Sequence, residues 1–96
     1  MTEPTRFRKR PIEIEAIRFD GTNHDDIHTF TEGRFWAVDP RDRGDDPDIV
    51  AQVFDVLHST WVGVKVGNWI ARGIRGEFYP IDDGVLADTY EAVGND

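Results

Sequence analysis

Trp69, Arg72, Arg75, Glu77 and Tyr79 fall in one short stretch, and Lys9 and Arg10 add two cations near the N-terminus. Converged in a cleft, these residue types suit an anionic, ring-bearing ligand such as a nucleotide. Aromatic faces stack on a base, and guanidinium forks take phosphate. The same residues serve folding equally well. Gly67, Gly73 and Gly76 mark tight turns and a bend in a sheet, while Trp69, Phe78 and Tyr90 suit a core. The pleat of a strand also sets Trp69 and Arg72 on opposite faces. Glu77 is the one carboxylate in the stretch and the one candidate general base. With no second carboxylate or metal ligand beside it in sequence, an ion pair with Arg72 or Arg75 accounts for it more simply.

Other candidates are weaker. Asp39, Asp42, Asp45, Asp46 and Asp48 lie in or beside an acidic loop. An EF-hand loop needs a bidentate Glu at its twelfth position; counted from Asp39 that position is Val50, so a solvated loop is expected. His24 and His28 are four apart, a spacing that puts two metal ligands on one helix face. No HExxH pattern or third ligand accompanies them, so exposed helix histidines are expected and no metal. Ser59 follows His58 directly, and adjacent residues of an extended chain point to opposite faces, which disfavours a nucleophile–base pair. No phosphate-binding glycine loop of the P-loop or Rossmann type is present, and no cofactor is implied. Trp36 and Trp61 fit either core or surface.

The elements that must position these side chains follow from period and punctuation. Residues 1–10 read as a flexible basic arm. Pro11–Phe19 alternates as a strand ended by Asp20-Gly21. Asn23–Glu32 reads as a short helix, with Thr22 or Asn23 as cap, Asp25 and Asp26 in its first turn and Gly33 as its stop. Arg34–Asp39 reads as a strand, and 40–48 as the acidic loop. Ile49–Val56 and Trp61–Val66 form a hairpin. Gly67-Asn68 turns the chain into strands Trp69–Gly73 and Glu77–Ile81. Asp82-Asp83-Gly84 turns it again into a final extended segment, Val85–Val93. The sum is a single α+β domain over residues 1–96: a small curled antiparallel or barrel-like sheet of six to seven short strands with one short helix.

Composition bounds the function. A chain of 96 residues buries roughly 60–65% of its unfolded surface, a thin margin. It has no cysteine, which removes disulfides and thiolate metal sites. No apolar run reaches the ~20 residues of a membrane span, and the basic N-terminus lacks the apolar stretch of a signal peptide. The net charge is −8, unevenly spread. Residues 1–19 carry five Arg/Lys against three Glu, and residues 20–55 carry ten acids against three Arg. Generic nucleic-acid binding is disfavoured, since phosphate contacts need net positive charge.

Two segments resemble a known family. The first is Phe7-Arg8-Lys9-Arg10-Pro11-Ile12-Glu13-Ile14-Glu15-Ala16, followed by Phe19-Asp20-Gly21. The second runs from Val64 through Gly67-Asn68-Trp69-Ile70, Gly73-Ile74-Arg75-Gly76-Glu77-Phe78-Tyr79-Pro80, then Thr89-Tyr90-Glu91. Together they resemble small proteins encoded by tailed bacteriophages and prophages, in the family's order and spacing over about half of the chain. Asn68 stands where that family usually has Asp, a swap that fits a turn. Ser59-Thr60 replaces its usual Glu-Gly hairpin turn, and the acidic 40–48 segment is not typical of it.

The resemblance implies phage origin and no particular reaction. The leading expectation is a non-enzymatic accessory protein in the host bacterial cytoplasm that binds a host protein or sequesters a small anionic signal. A virion decoration protein and a small nucleotide-processing hydrolase are the alternatives. Exposed strand edges point to a homo-oligomer.

Overall fold

The structure is a computed structural model that describes residues 2–7 and 12–91. Lys9 and Arg10, two of the residues singled out above, lie outside the described residues. Six strands and two helices follow in the order β1 (Glu15–Arg18), α1 (His24–Phe30), β2 (Phe35–Ala37), β3 (Ala51–Asp55), β4 (Thr60–Val64), β5 (Trp69–Arg72), β6 (Phe78–Ile81) and α2 (Asp83–Thr89). A 3-10 turn, Pro40–Asp42, precedes β3.

The fold is α+β, as the alternation of patterns indicates. The strands form two three-stranded antiparallel sheets, ordered β1-β5-β6 and β2-β3-β4, rather than one curled sheet. No closed barrel forms among the described residues. The division follows from non-local pairing: β1 passes over its sequence neighbours to pair with β5, Ile17 opposite Ile70.

Each sheet turns one face inward. Ile17, Ile70 and Phe78 come from the first sheet, and Phe35, Ala51, Val53 and Val64 from the second. Ile27 of α1 and Phe19, just past β1, fill the space between them, and all of these but the half-buried Ile17 are fully or almost fully buried. Phe19 is the seam. Its ring meets Phe35 edge-on with centroids 5.3 Å apart. Its amide donates to the Asn68 carbonyl at 2.8 Å, and its carbonyl accepts from the Gly67 amide at 2.7 Å.

The second helix replaces the first part, Val85–Thr89, of the extended segment expected over Val85–Val93, whose last two residues lie outside the described residues, and makes two helices rather than one among the described residues. Asp82 acts as its N-cap, its Oδ1 accepting from the Gly84 amide at 2.9 Å. Aspartate is among the strongest N-caps, so Asp82-Asp83-Gly84 opens a helix instead of a turn. At α1 the cap differs too. Asn23 holds the N-cap position, but its side chain does not cap the helix. Instead Asn23 Nδ2 donates to the Arg18 carbonyl and Asn23 Oδ1 accepts from the Asp20 amide, tying α1 back to β1.

The 40–48 loop is partly ordered by its own acids. Asp39 caps the 3-10 turn through the Arg41 amide, and Asp46 pairs with Lys65 at 3.2 Å. Among the described residues no helix is long and apolar enough to cross a membrane.

Asn68 holds the turn between β4 and β5, its Oδ1 accepting from the Lys65 amide at 2.9 Å. A carboxylate at that position accepts the same bond; a methyl group does not. Asn68→Asp is therefore expected to leave stability nearly unchanged in urea denaturation, whereas Asn68→Ala lowers it by about 1 kcal/mol.

Candidate functional site

The arginine–aromatic set does not converge. Strand register places Arg72 opposite Glu15 and Phe78, on the inward face of the first sheet, while Trp69 stands opposite Arg18 and Ile81 on the outward face. On the inward side the Arg72 guanidinium lies 5.0 Å from the centre of the Phe30 ring and 5.4 Å from that of Phe78. It donates to the Phe30 carbonyl at the end of α1 (3.1 Å) and pairs with Glu15 at 3.6 Å. A cation there meets the negative pole of the helix and the faces of two aromatic rings. Arg72 thus fastens α1 to the sheet.

On the outward face, Trp69 Nε1 donates to Asp83 Oδ1 of α2 at 2.7 Å, and Arg18 approaches the same oxygen at 4.0 Å. Tyr79 lies on this face too, paired with Ala71. Burial, then the nearby Tyr90 and Glu77, push the Tyr79 phenol above its ordinary value, so it is protonated at neutral pH. This side of the sheet is where α2 is fastened.

Glu77 serves the β5–β6 turn. Its Oε2 accepts from the Arg75 amide at 2.9 Å, and a Cβ on Gly73 would fall on its carboxylate. The ion pair expected with Arg72 or Arg75 is absent among the described residues, because Arg72 pairs with Glu15 and Glu77 is held by main chain. Arg75 is exposed at the turn. Of the predicted set, then, Trp69 and Tyr79 share a face, Arg72 is on the other, and Arg75 and Glu77 belong to the turn.

Two surfaces outside that set gather chemistry. The first is an open groove of about 420 Å³ between α1 and β2, lined by His24, Asp25, His28, Phe35, Trp36 and Ala37. The two histidines are not the exposed helix residues expected. Both are half-buried, His24 edge-on to Phe19 at 5.0 Å and His28 edge-on to Trp36 at 5.0 Å. No cluster of three metal-ligating side chains occurs among the described residues. Trp36 is 55% exposed. The spacing of His24 and His28 was the available signal for this groove; its other wall comes from a separate element.

The second surface is the β3–β4 hairpin. Phe54 and Trp61 pair across the strands, rings edge-on at 5.2 Å. Trp61 is 45% exposed and Leu57, in the turn, 52%. Asp55 organises this turn. It accepts from the Leu57 and His58 amides, and its Oδ2 lies 2.7 Å from His58 Nδ1. Those bonds, the His58 side chain foremost, hold the Asp55 carboxyl below the usual carboxylate range. Ser59 takes a left-handed φ of 50° in the turn.

No protein-family model, curated protein or solved structure matches this chain.

Two outcomes follow from these side chains. Arg72→Ala is expected to lower stability by about 1–2 kcal/mol in urea, from loss of the ring contacts and the carbonyl bond. Arg72→Lys should recover little of it, since an ammonium lacks the planar fork. The second concerns pH. The folded pKa of Asp55 lies below its unfolded value of about 3.9, so its contribution is complete above that value and is lost as pH falls through the folded pKa. Thermal melts from pH 5 downward should therefore fall less steeply for Asp55→Asn than for the parent chain.

Proposed function

We propose that this chain is a non-enzymatic accessory protein of a tailed phage or prophage, acting in the host bacterial cytoplasm by binding a host protein. The observation that carries the binding mode is the hairpin surface, where Trp61 stands about half exposed against Phe54 and Leu57 is about half exposed in the turn. Large aromatic and aliphatic side chains held on a rigid hairpin are the residue types that anchor protein interfaces. The phage assignment rests on the two segments, Phe7–Gly21 and Val64–Glu91, that resemble that family.

A small anionic signal is the lesser alternative. Arg72 is engaged by Glu15 and the Phe30 carbonyl, on the opposite face from Trp69, and a nucleotide would need both on one side.

Affinity purification of the tagged chain from its host, quantified against a Leu57→Ser/Trp61→Ser variant, tests this. One host protein should be recovered in stoichiometric amount and be lost with the variant, which circular dichroism should show still folded although it loses the Phe54–Trp61 ring contact. Equal recovery with the variant overturns the reading. So does a nucleotide-sized passenger released on denaturation in native mass spectrometry, or co-purification with phage particles.

A further inference from the structure

Strand β2 ends the second sheet and, among the described residues, pairs only with β3. In an antiparallel ladder, alternate residues of an edge strand bond to the neighbour and the others face away. The Phe54 amide bonds to the Arg34 carbonyl and the Val38 amide to the Val50 carbonyl. The bonded positions of this strand are therefore 34, 36 and 38. The amides and carbonyls of Phe35 and Ala37 point out from the sheet edge. Helix α1 does not pair with them, and they border the groove whose other wall is His24, Asp25 and His28.

An open strand edge flanked by a helix is the geometry that accepts an added strand. Main-chain bonds supply affinity, and side-chain pockets supply selectivity. Here the pocket is aromatic, with Trp36 exposed beside His28. The rim is acidic: Asp25 lines it and Asp26 follows. An occupant should thus be extended, carry a bulky apolar anchor and bring positive charge.

One segment of this chain has that chemistry. Phe7 is 91% exposed, the most exposed of the large hydrophobic side chains described. It lies in Arg6-Phe7-Arg8-Lys9-Arg10, within a protein of net charge −8. We propose that the groove between α1 and β2 receives the N-terminal arm of a second copy of this chain, with Phe7 seated against Trp36 and the arm's backbone added as a strand along Phe35–Ala37. Reciprocal exchange of the two arms closes a two-fold dimer. It covers the open edge of β2 and brings the basic arm against the acidic rim.

Sedimentation velocity of the full chain across the micromolar range tests the proposal with two variants. Phe7→Ala changes an exposed side chain and leaves the core untouched. Ala37→Pro removes an outward-facing amide and blocks the edge, yet spares the ladder with β3; circular dichroism checks that it folds. The parent chain should dimerise, more weakly as salt is raised. Each variant should weaken the dimer about tenfold or more. A fluorescein-labelled peptide of residues 2–11 should bind the Phe7→Ala chain, and lose that binding when Ala37→Pro is added.

A parent chain that stays monomeric at every concentration overturns the proposal. So does a dimer as tight in Phe7→Ala as in the parent. Loss with Ala37→Pro alone would mean that two β2 edges pair directly, which removes the arm as occupant. The hairpin variants of the host-binding test touch neither groove nor arm, so failure of one assignment leaves the other standing.

Discussion

The burial of Phe19 between the two sheets is the contact on which the remainder depends. Three-stranded sheets this small have little independent stability, and each must cover its apolar face with the other. Phe19 belongs by chain to the first sheet, packs its ring on Phe35 of the second, and bonds through its backbone to the Gly67-Asn68 turn that connects them. One residue therefore sets the distance between sheets, the path of the linking turn and the place where α1 can lie. His24 rests edge-on against the same ring, so the wall of the α1–β2 groove is positioned by the core itself.

Around that seam, polar side chains do mostly architectural work. Arg72 closes the end of α1, Asp83 receives the indole of Trp69, Asp46 meets Lys65, and Asp55 shapes the hairpin turn. Each of these could be taken for a functional group when met singly. Their partners show otherwise: every one satisfies main-chain or neighbouring side-chain groups that bring separate elements together. What is left over for recognition is the exposed aromatic and aliphatic surface of the hairpin, and at the edge of β2 an exposed tryptophan with acidic residues beside it.

Much of the strand pattern was legible because alternation and glycine punctuation are local. Asp20-Gly21, Gly33 and Gly67-Asn68 stand at element ends, and the pleat alone separates Arg72 from Trp69. The division into two sheets was not legible. It depends on β1 finding β5, and no periodicity encodes that choice. The last helix was hidden by an aspartate pair and a glycine that spell a turn as readily as a cap. The groove escaped for a related reason. His24 and His28 announce a helix face, but the tryptophan and the free edge that make it a site arrive from β2, whose backbone polarity is set by pairing with β3.

The β5–β6 turn carries a consequence for how this sequence can drift. The Glu77 carboxylate fills the volume that any side chain at position 73 would need, and it bonds to the Arg75 amide from there. A side chain at position 73 and the carboxylate of 77 thus compete for one volume. A lineage that gains a methyl at 73 must shorten or redirect 77 in the same step or soon after, and one that loses the carboxylate releases 73 from being glycine. Covariation between these two columns would then trace the turn's history independently of any partner the protein has bound.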